Sequence, residues 1–241
     1  MRRDWRHRWV TTGERGIHQA ARLGRSTEGS GMRIAVFLFD GVTALDPIGV
    51  YDPLARLPDT DIIFVSETGG PCRTGDDFLS LTPSAAIGNV ESVDMLLIPG
   101  GSTVGLRQCM GSEALRSSIV RIDQTTIITA SVCTGSLILG ASGLLRGRKA
   151  TTHWRAKDYL VHFGAEYTGD RVTKAEKYWT SAGVTAGIDL GLALCGHIAG
   201  AEVGGAVELA MEYDPKPPFG TGNPHNASAD RQRIVMEVLR G

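Results

Sequence analysis

The sequence predicts an α/β fold: a mostly parallel sheet with helices on both faces. Three observations lead there. From Met32 onward, short runs rich in β-branched and aliphatic residues alternate with longer helical ones, as in parallel βαβ units with right-handed crossovers. Several of those runs end in glycines or turn residues, which belong at one sheet edge. With 241 residues, 42% of them hydrophobic, the chain is long enough for one substantial core.

The elements follow in order. "RIAVFLF" (Arg33 to Phe39) is a buried strand, and "LDPIGVYDPLARL" (Leu45 to Leu57) is a short helix capped or broken by its prolines. "DIIFVS" (Asp61 to Ser66) is a second strand, and the turn dipeptides of "ETGGPCRTGDDFLSLTP" predict a small hairpin beside the main sheet. "DMLLIPGG" (Asp94 to Gly101) is a third strand running into glycines, followed by a helix over Ser112 to Asp123. "TTIIT" (Thr125 to Thr129) is a short strand leading through Cys133 into an apolar helix. "ATTHWRAKDYLVHFG" is a turn and helix, "RVTKA" and "KYWTSA" contain two short strands, and "TAGIDLGLALCGHIAGA" is one long helix of small residues. "DPKPPFGTGNP" is a loop, and Ser228 caps a terminal helix.

Charge and cysteine content narrow the function classes. A net charge of -1 provides no general basic field for nucleic acid, so a small-molecule partner is expected. The four cysteines are widely spaced with no C-x-x-C pair, which points to reduced thiols rather than a zinc ribbon or dithiol motif. No His/Cys/Asp cluster has metal spacing, so no metal is expected. Apolar stretches are interrupted well short of the roughly twenty residues that span a bilayer, and no secretory signal is apparent. A cytoplasmic protein without a membrane partner is expected. Residues 1–31 differ from the rest, with seven arginines against three acids giving +4 and leaving -5 for the remainder. They read as a basic arm, an Arg-rich transit peptide or an extension of no defined function, the last being favoured; the folded domain is expected over 32–241.

Cys133 is the first candidate for chemistry. At a strand-to-helix corner, the unpaired amides and dipole of the helix start favour an anion and lower a thiol pKa. Gly135, two residues on, suits the close approach of such a corner. A buried cysteine is otherwise a small apolar core residue, and only its neighbours tip the balance. Gly100 and Gly101 end a neighbouring strand at the same edge, where their amides could form an oxyanion cradle, although glycines also serve ordinary turns. Asp46 could reach that edge and hold a proton beside the sulfur; as an Asp before Pro at a helix start, it could equally be a cap. Thr134 could offer its hydroxyl to a bound atom or cap its helix. It also occupies the position after the cysteine, so a Cys-His base is absent there. His153, before Trp154, is a candidate substrate-binding residue or a structural one.

The stretches "FLFDGVTALDPIGVYDPLA", "LLIPGG", "SVCTGSLILGASGLLRGRKATTHW", "AGVTAGIDLGLAL" and "EYDPKPPF" resemble the ThiJ/PfpI superfamily, of class I glutamine amidotransferase-like architecture. They are most similar to its isonitrile hydratases. The resemblance implies a flavodoxin-like sandwich, usually a homodimer, with Cys133 as nucleophile, Asp46 as acid/base and Thr134 as hydroxyl neighbour. It implies a cofactor-independent hydro-lyase that adds water to an isonitrile through a cysteine thioimidate and releases an N-substituted formamide. Other members suggest glyoxalase or deglycase chemistry on small carbonyl compounds, or a non-catalytic cysteine redox sensor. Some relatives carry a helix-turn-helix module, for which the roughly twenty residues after "EYDPKPPF" are too few.

Overall fold

Residues 31–237 are described by a computed structural model; the basic segment 1–30 lies outside them. Alternation along the first strand sets the layering. In β1 (Met32–Leu38), Ile34 and Val36 face one helical layer while Ala35 and Phe37 face the other, and all four are buried. A strand with two apolar faces belongs in the middle of a covered sheet. β1 pairs in parallel with β2 (Thr60–Ser66) on one side and with β6 (Met95–Ile98) on the other. Between these come a small antiparallel hairpin, β3 (Cys72–Arg73) with β4 (Ser80–Leu81), and an edge strand, β5 (Ala85–Ala86). β7 (Ile128–Val132) pairs in parallel with β6. β8 (Lys149–Ala150) and β9 (Glu166–Tyr167) form a separate short pair. β10 (Val172–Ala175) and β11 (Tyr178–Ser181) close the main sheet. The seven-stranded order is β10-β11-β7-β6-β1-β2-β5, parallel except for the β10–β11 hairpin, so the expected α/β architecture is present.

Helices cover both faces. α1 (Leu45–Leu54) packs on one face. α2 (Thr103–Gly111), α3 (Glu113–Asp123), α4 (Gly135–Ala141) and α5 (Lys157–His162) lie on the opposite face. α6 (Ala186–Ala199) and α7 (Ala201–Ala210) return to the α1 face, and α8 (Ala229–Glu237) ends the described chain. Among the described residues no helix is long and apolar enough to cross a membrane.

Several elements depart from the sequence expectation, among them the short strands β5, β8 and β9, which were not expected. The strand placed at Thr125 to Thr129 instead spans Ile128–Val132, because Thr125 and Thr126 donate their hydroxyls to the last carbonyls of α3, at Ile122 (2.8 Å) and Asp123 (2.9 Å). That shift carries the strand directly up to Cys133. The long small-residue helix ends at Ala199, where Gly200 takes a φ of 94° and α7 begins; α7 was not foreseen. Nor was α2, which Ser102 caps by accepting the Gly105 N–H at 3.2 Å. α1 stops at Leu54 rather than Leu57. The β3–β4 hairpin and the Ser228 cap, which accepts from the Arg231 N–H at 3.4 Å, are as expected.

Candidate functional site

The elbow is built by backbone strain. Cys133 follows the last residue of β7 and precedes α4, and it adopts a φ of 55°. A non-glycine residue in the left-handed region costs roughly 1–2 kcal/mol and persists only where its surroundings fix it. Here they do. The Cys133 N–H donates to the carbonyls of Ser181 (3.2 Å) and Ala182 (3.0 Å) at the end of β11. α4 then starts so close to β6 that a Cβ on Gly135 would lie 2.1 Å from the Ile98 carbonyl oxygen. The glycine predicted for close approach therefore has that role.

Asp46 comes from the neighbouring crossover. It sits in the first turn of α1 and is fully buried. It does not cap its own helix: its Oδ2 accepts the N–H of Gly100 at 2.8 Å, from the end of β6. Of the two readings open in the sequence, the cap is thus excluded. Its Oδ1 is buried without a hydrogen-bond partner, so any proton the carboxyl holds belongs on Oδ1. Burial raises Asp46 from 3.8 to about 7, with the Gly100 amide and then the Cys133 thiol partly opposing that rise.

The sulfur is not the low-pKa thiolate that the helix start alone predicts. Cys133 is 6% exposed, and burial followed by the charge of Asp46 pushes its thiol up to about 12. The amides of Val184 and Thr134 and the Thr134 hydroxyl act in the other direction, each favouring the anion. Desolvation outweighs a few fixed dipoles. Above pH 7 the pair therefore holds one proton, and burial favours placing it on the sulfur.

The diglycine has a different job from the cradle expected of it. The Gly100 amide holds Asp46, and the Gly101 N–H donates to Thr134 Oγ1 at 3.2 Å. Both donors orient side chains rather than facing a bound oxyanion. With its oxygen accepting from Gly101, Thr134 has its own proton left to give toward the sulfur. The donors that do favour a charged sulfur include Val184 N–H, from a turn between β11 and α6 where Val184 takes a φ of 27°. Sequence reasoning missed this turn, although "AGVTAG" joins a strand end to a helix at the same sheet edge.

His153 lies beside this turn. A Cβ on Gly183 would fall 2.6 Å from its Cδ2, so the ring rests against Gly183, next to Val184. Its Nδ1 accepts the Arg155 N–H at 3.3 Å, which places the proton of the neutral ring on Nε2. Burial and then Arg155 lower its pKa. The ring thus packs against the turn at Gly183. All four cysteines are free thiols. Among the described residues no group of three or more His, Cys, Asp or Glu side chains is placed to hold a metal.

An elbow cysteine at positive φ, a buried carboxyl from the first crossover and a strand-end diglycine thus meet at one edge of the sheet. Residues 32–196 match the DJ-1/PfpI family. The chain belongs to the DJ-1/PfpI family. Among DJ-1/PfpI relatives, it is 38% identical to an isonitrile hydratase of Pseudomonas putida over 81% of this chain and 85% of that one. It is 32% identical to a deglycase of Pyrococcus horikoshii over 41% of this chain and 57% of the other. A solved ThiJ/PfpI family protein from Pseudomonas syringae superposes with a TM-score of 0.86 at 30% identity, covering 97% of this chain and 93% of that one. The mostly parallel sheet with helices on both faces is consistent with the DJ-1/PfpI fold.

Proposed function

We propose that the protein is an isonitrile hydratase acting on a small molecule through Cys133 and Asp46, without a cofactor. The observation that carries this reading is the unpartnered Oδ1 of Asp46 beside a thiol at a strained elbow. Addition to an isonitrile, R–N≡C, puts a nucleophile and a proton on the same terminal carbon. One carboxyl oxygen that first takes the thiol proton and then delivers it is suited to that demand.

In the first half-reaction the Cys133 S–H proton passes to Asp46 Oδ1 as the Sγ–C bond forms. Asp46 then protonates the same carbon, giving the thioimidate R–N=CH–S–Cys133. In the second, Asp46 as carboxylate takes a proton from water while the hydroxyl adds to that carbon, and the proton goes to nitrogen. The C–S bond breaks, the hydroxyl proton returns to sulfur, and R–NH–CHO leaves. The Val184 and Thr134 amides favour sulfur as the leaving anion in this step.

Residues 32–241 would act as one domain, as a homodimer in the cytoplasm, with no nucleic-acid partner. The test is incubation of the purified protein with a simple alkyl isonitrile, following the formamide by chromatography. Turnover lost in Cys133→Ala supports the reading; unchanged turnover in that variant refutes the covalent step. The similarity to a deglycase supplies the second arm: consumption of a 2-oxoaldehyde with no isonitrile turnover would replace the reading by chemistry on small carbonyl compounds.

A further inference from the structure

The segment "ATTHW" contributes more to the elbow than His153 alone. It connects β8 to α5 and passes beside the end of β7. Thr151 donates its N–H to Thr180 Oγ1 in β11 at 2.8 Å, which anchors the segment to the same strand that receives the Cys133 N–H. Thr152 is 1% exposed, and its Oγ1 donates to the Cys133 carbonyl oxygen at 3.0 Å. Ser136, fully buried in the first turn of α4, donates its hydroxyl to that same oxygen at 3.2 Å. The carbonyl of the strained residue is therefore held by two side-chain hydroxyls, one local and one from nineteen residues further along the chain.

We propose that Thr152, assisted by Ser136, is a positioning residue that holds the Cys133 peptide in its left-handed conformation and so keeps the sulfur against the donors that stabilise it as an anion.

Two physical effects act together. A residue at a φ of 55° relaxes unless its peptide group is fixed on both sides; the N–H side is fixed by Ser181 and Ala182, and Thr152 and Ser136 fix the C=O side. The carbonyl oxygen also carries partial negative charge close to Sγ, and two donated hydrogen bonds draw that charge away from the sulfur. Thr152 touches neither the reacting carbon nor the sulfur in this scheme, so it acts through Cys133.

This rests on Cys133 being the nucleophile of the proposed reaction, and its test reads the sulfur independently of any substrate. Full-length wild type, Thr152→Val and Thr152→Ser are treated with iodoacetamide across a pH series, and alkylation of the Cys133 peptide is followed by mass spectrometry. Valine keeps the shape and removes the donor; serine keeps the donor. The expected result is a Thr152→Val profile displaced to higher pH, with the rate at pH 8 lowered about tenfold, the order of one hydrogen bond, and a Thr152→Ser profile within about twofold of wild type. Where isonitrile turnover is present, kcat falls in Thr152→Val with KM unchanged. A wild-type alkylation profile in Thr152→Val, or a serine variant as impaired as the valine one, overturns the proposal. If Thr152→Val does not fold, Ser136→Ala removes the second donor: displacement in the same direction supports the brace, and an unmoved profile overturns it. Absence of isonitrile turnover in wild type alongside a displaced Thr152→Val profile would sink the hydratase reading and leave the brace standing.

Discussion

Gly100 donates its backbone N–H to Oδ2 of Asp46 across 2.8 Å, joining the end of β6 to the first turn of α1. That bond selects which carboxyl oxygen is free. It also explains why position 100 carries no side chain. A Cβ there would lie 2.5 Å from Thr134 Oγ1 and 2.9 Å from Asp46 Oδ2, displacing both functional groups at once. Gly100→Ala is expected to reduce turnover by at least about a hundredfold, since misplacing an acid/base group by about 1 Å has effects of that order. The stability cost should stay near 1–3 kcal/mol, as for other overpacked positions. Steady-state kinetics with a denaturant titration separates the two; wild-type kcat in the alanine variant would contradict this account of the diglycine.

Asp46→Asn should trade activity for stability. The amide oxygen can still accept from Gly100, but the group can no longer carry a proton from sulfur to carbon, so turnover falls about a hundred- to ten-thousandfold. The stability change follows from the sign of the shift. An acid raised from 3.8 to about 7 by burial makes the folded state more favourable below pH 4 and loses that contribution as pH rises through 7. Removing the charge should therefore stabilise the variant by about 2–4 kcal/mol at pH 8 and by little below pH 4. Chemical denaturation at the two pH values measures the difference.

The same shift sets the pH dependence of the reaction. With Asp46 at about 7 and the Cys133 thiol pushed up to about 12, the pair holds one proton over the interval between, which is the form the mechanism requires. The kcat/KM profile should rise through an apparent pKa near 7 and stay level well into the alkaline range. The charge of Asp46 also raises the thiol, so the iodoacetamide profile of Cys133 should move to lower pH in Asp46→Asn. A profile unmoved or moved upward would show that the two groups do not interact.

Much of this pair was legible because each member ends or follows a strand, and parallel strands bring their carboxyl ends to one edge. Periodicity and the "DMLLIPGG" and "ASVCTGS" boundaries put Gly100 and Cys133 at one edge, while Asp46 stayed open between that edge and a helix cap until the Gly100 contact placed it. What the sequence does not encode locally is which donor meets which acceptor. The Gly100 and Gly101 amides meet Asp46 and Thr134, pairings that depend on how β6 sits between β1 and β7. The direction of the thiol shift was likewise hidden, because a helix start is visible in a sequence and the depth of burial is not. α2 and α7 escaped for a different reason: "TVGLRQCMG" and "AEVGGAVELA" are weakened by their glycines as isolated helices, and packing against the sheet supplies what propensity lacks.

A substitution at the opposite end of the same strands should separate stability from catalysis. Asp123, 5% exposed, ends α3. Its Oδ1 accepts from Thr129 Oγ1 at 2.6 Å, while its Oδ2 accepts from the Tyr178 hydroxyl at 3.1 Å and pairs with Lys177 Nζ at 3.0 Å. Burial and then Asp123 raise the Tyr178 phenol to about 12, so it remains a donor throughout the working pH range. Tyr178→Phe keeps the ring that Arg148 covers at 4.8 Å and removes only that donor. A hydrogen bond to a charged acceptor contributes about 1.5–3 kcal/mol, and Thr129 and Lys177 remain to hold the carboxylate, so a loss near the lower end is expected. Tyr178 opens β11 whereas Ser181, which receives the Cys133 N–H, closes it. Turnover and the Cys133 alkylation profile should therefore match wild type while the denaturation midpoint falls; a changed alkylation profile would mean that the two ends of the sheet are coupled.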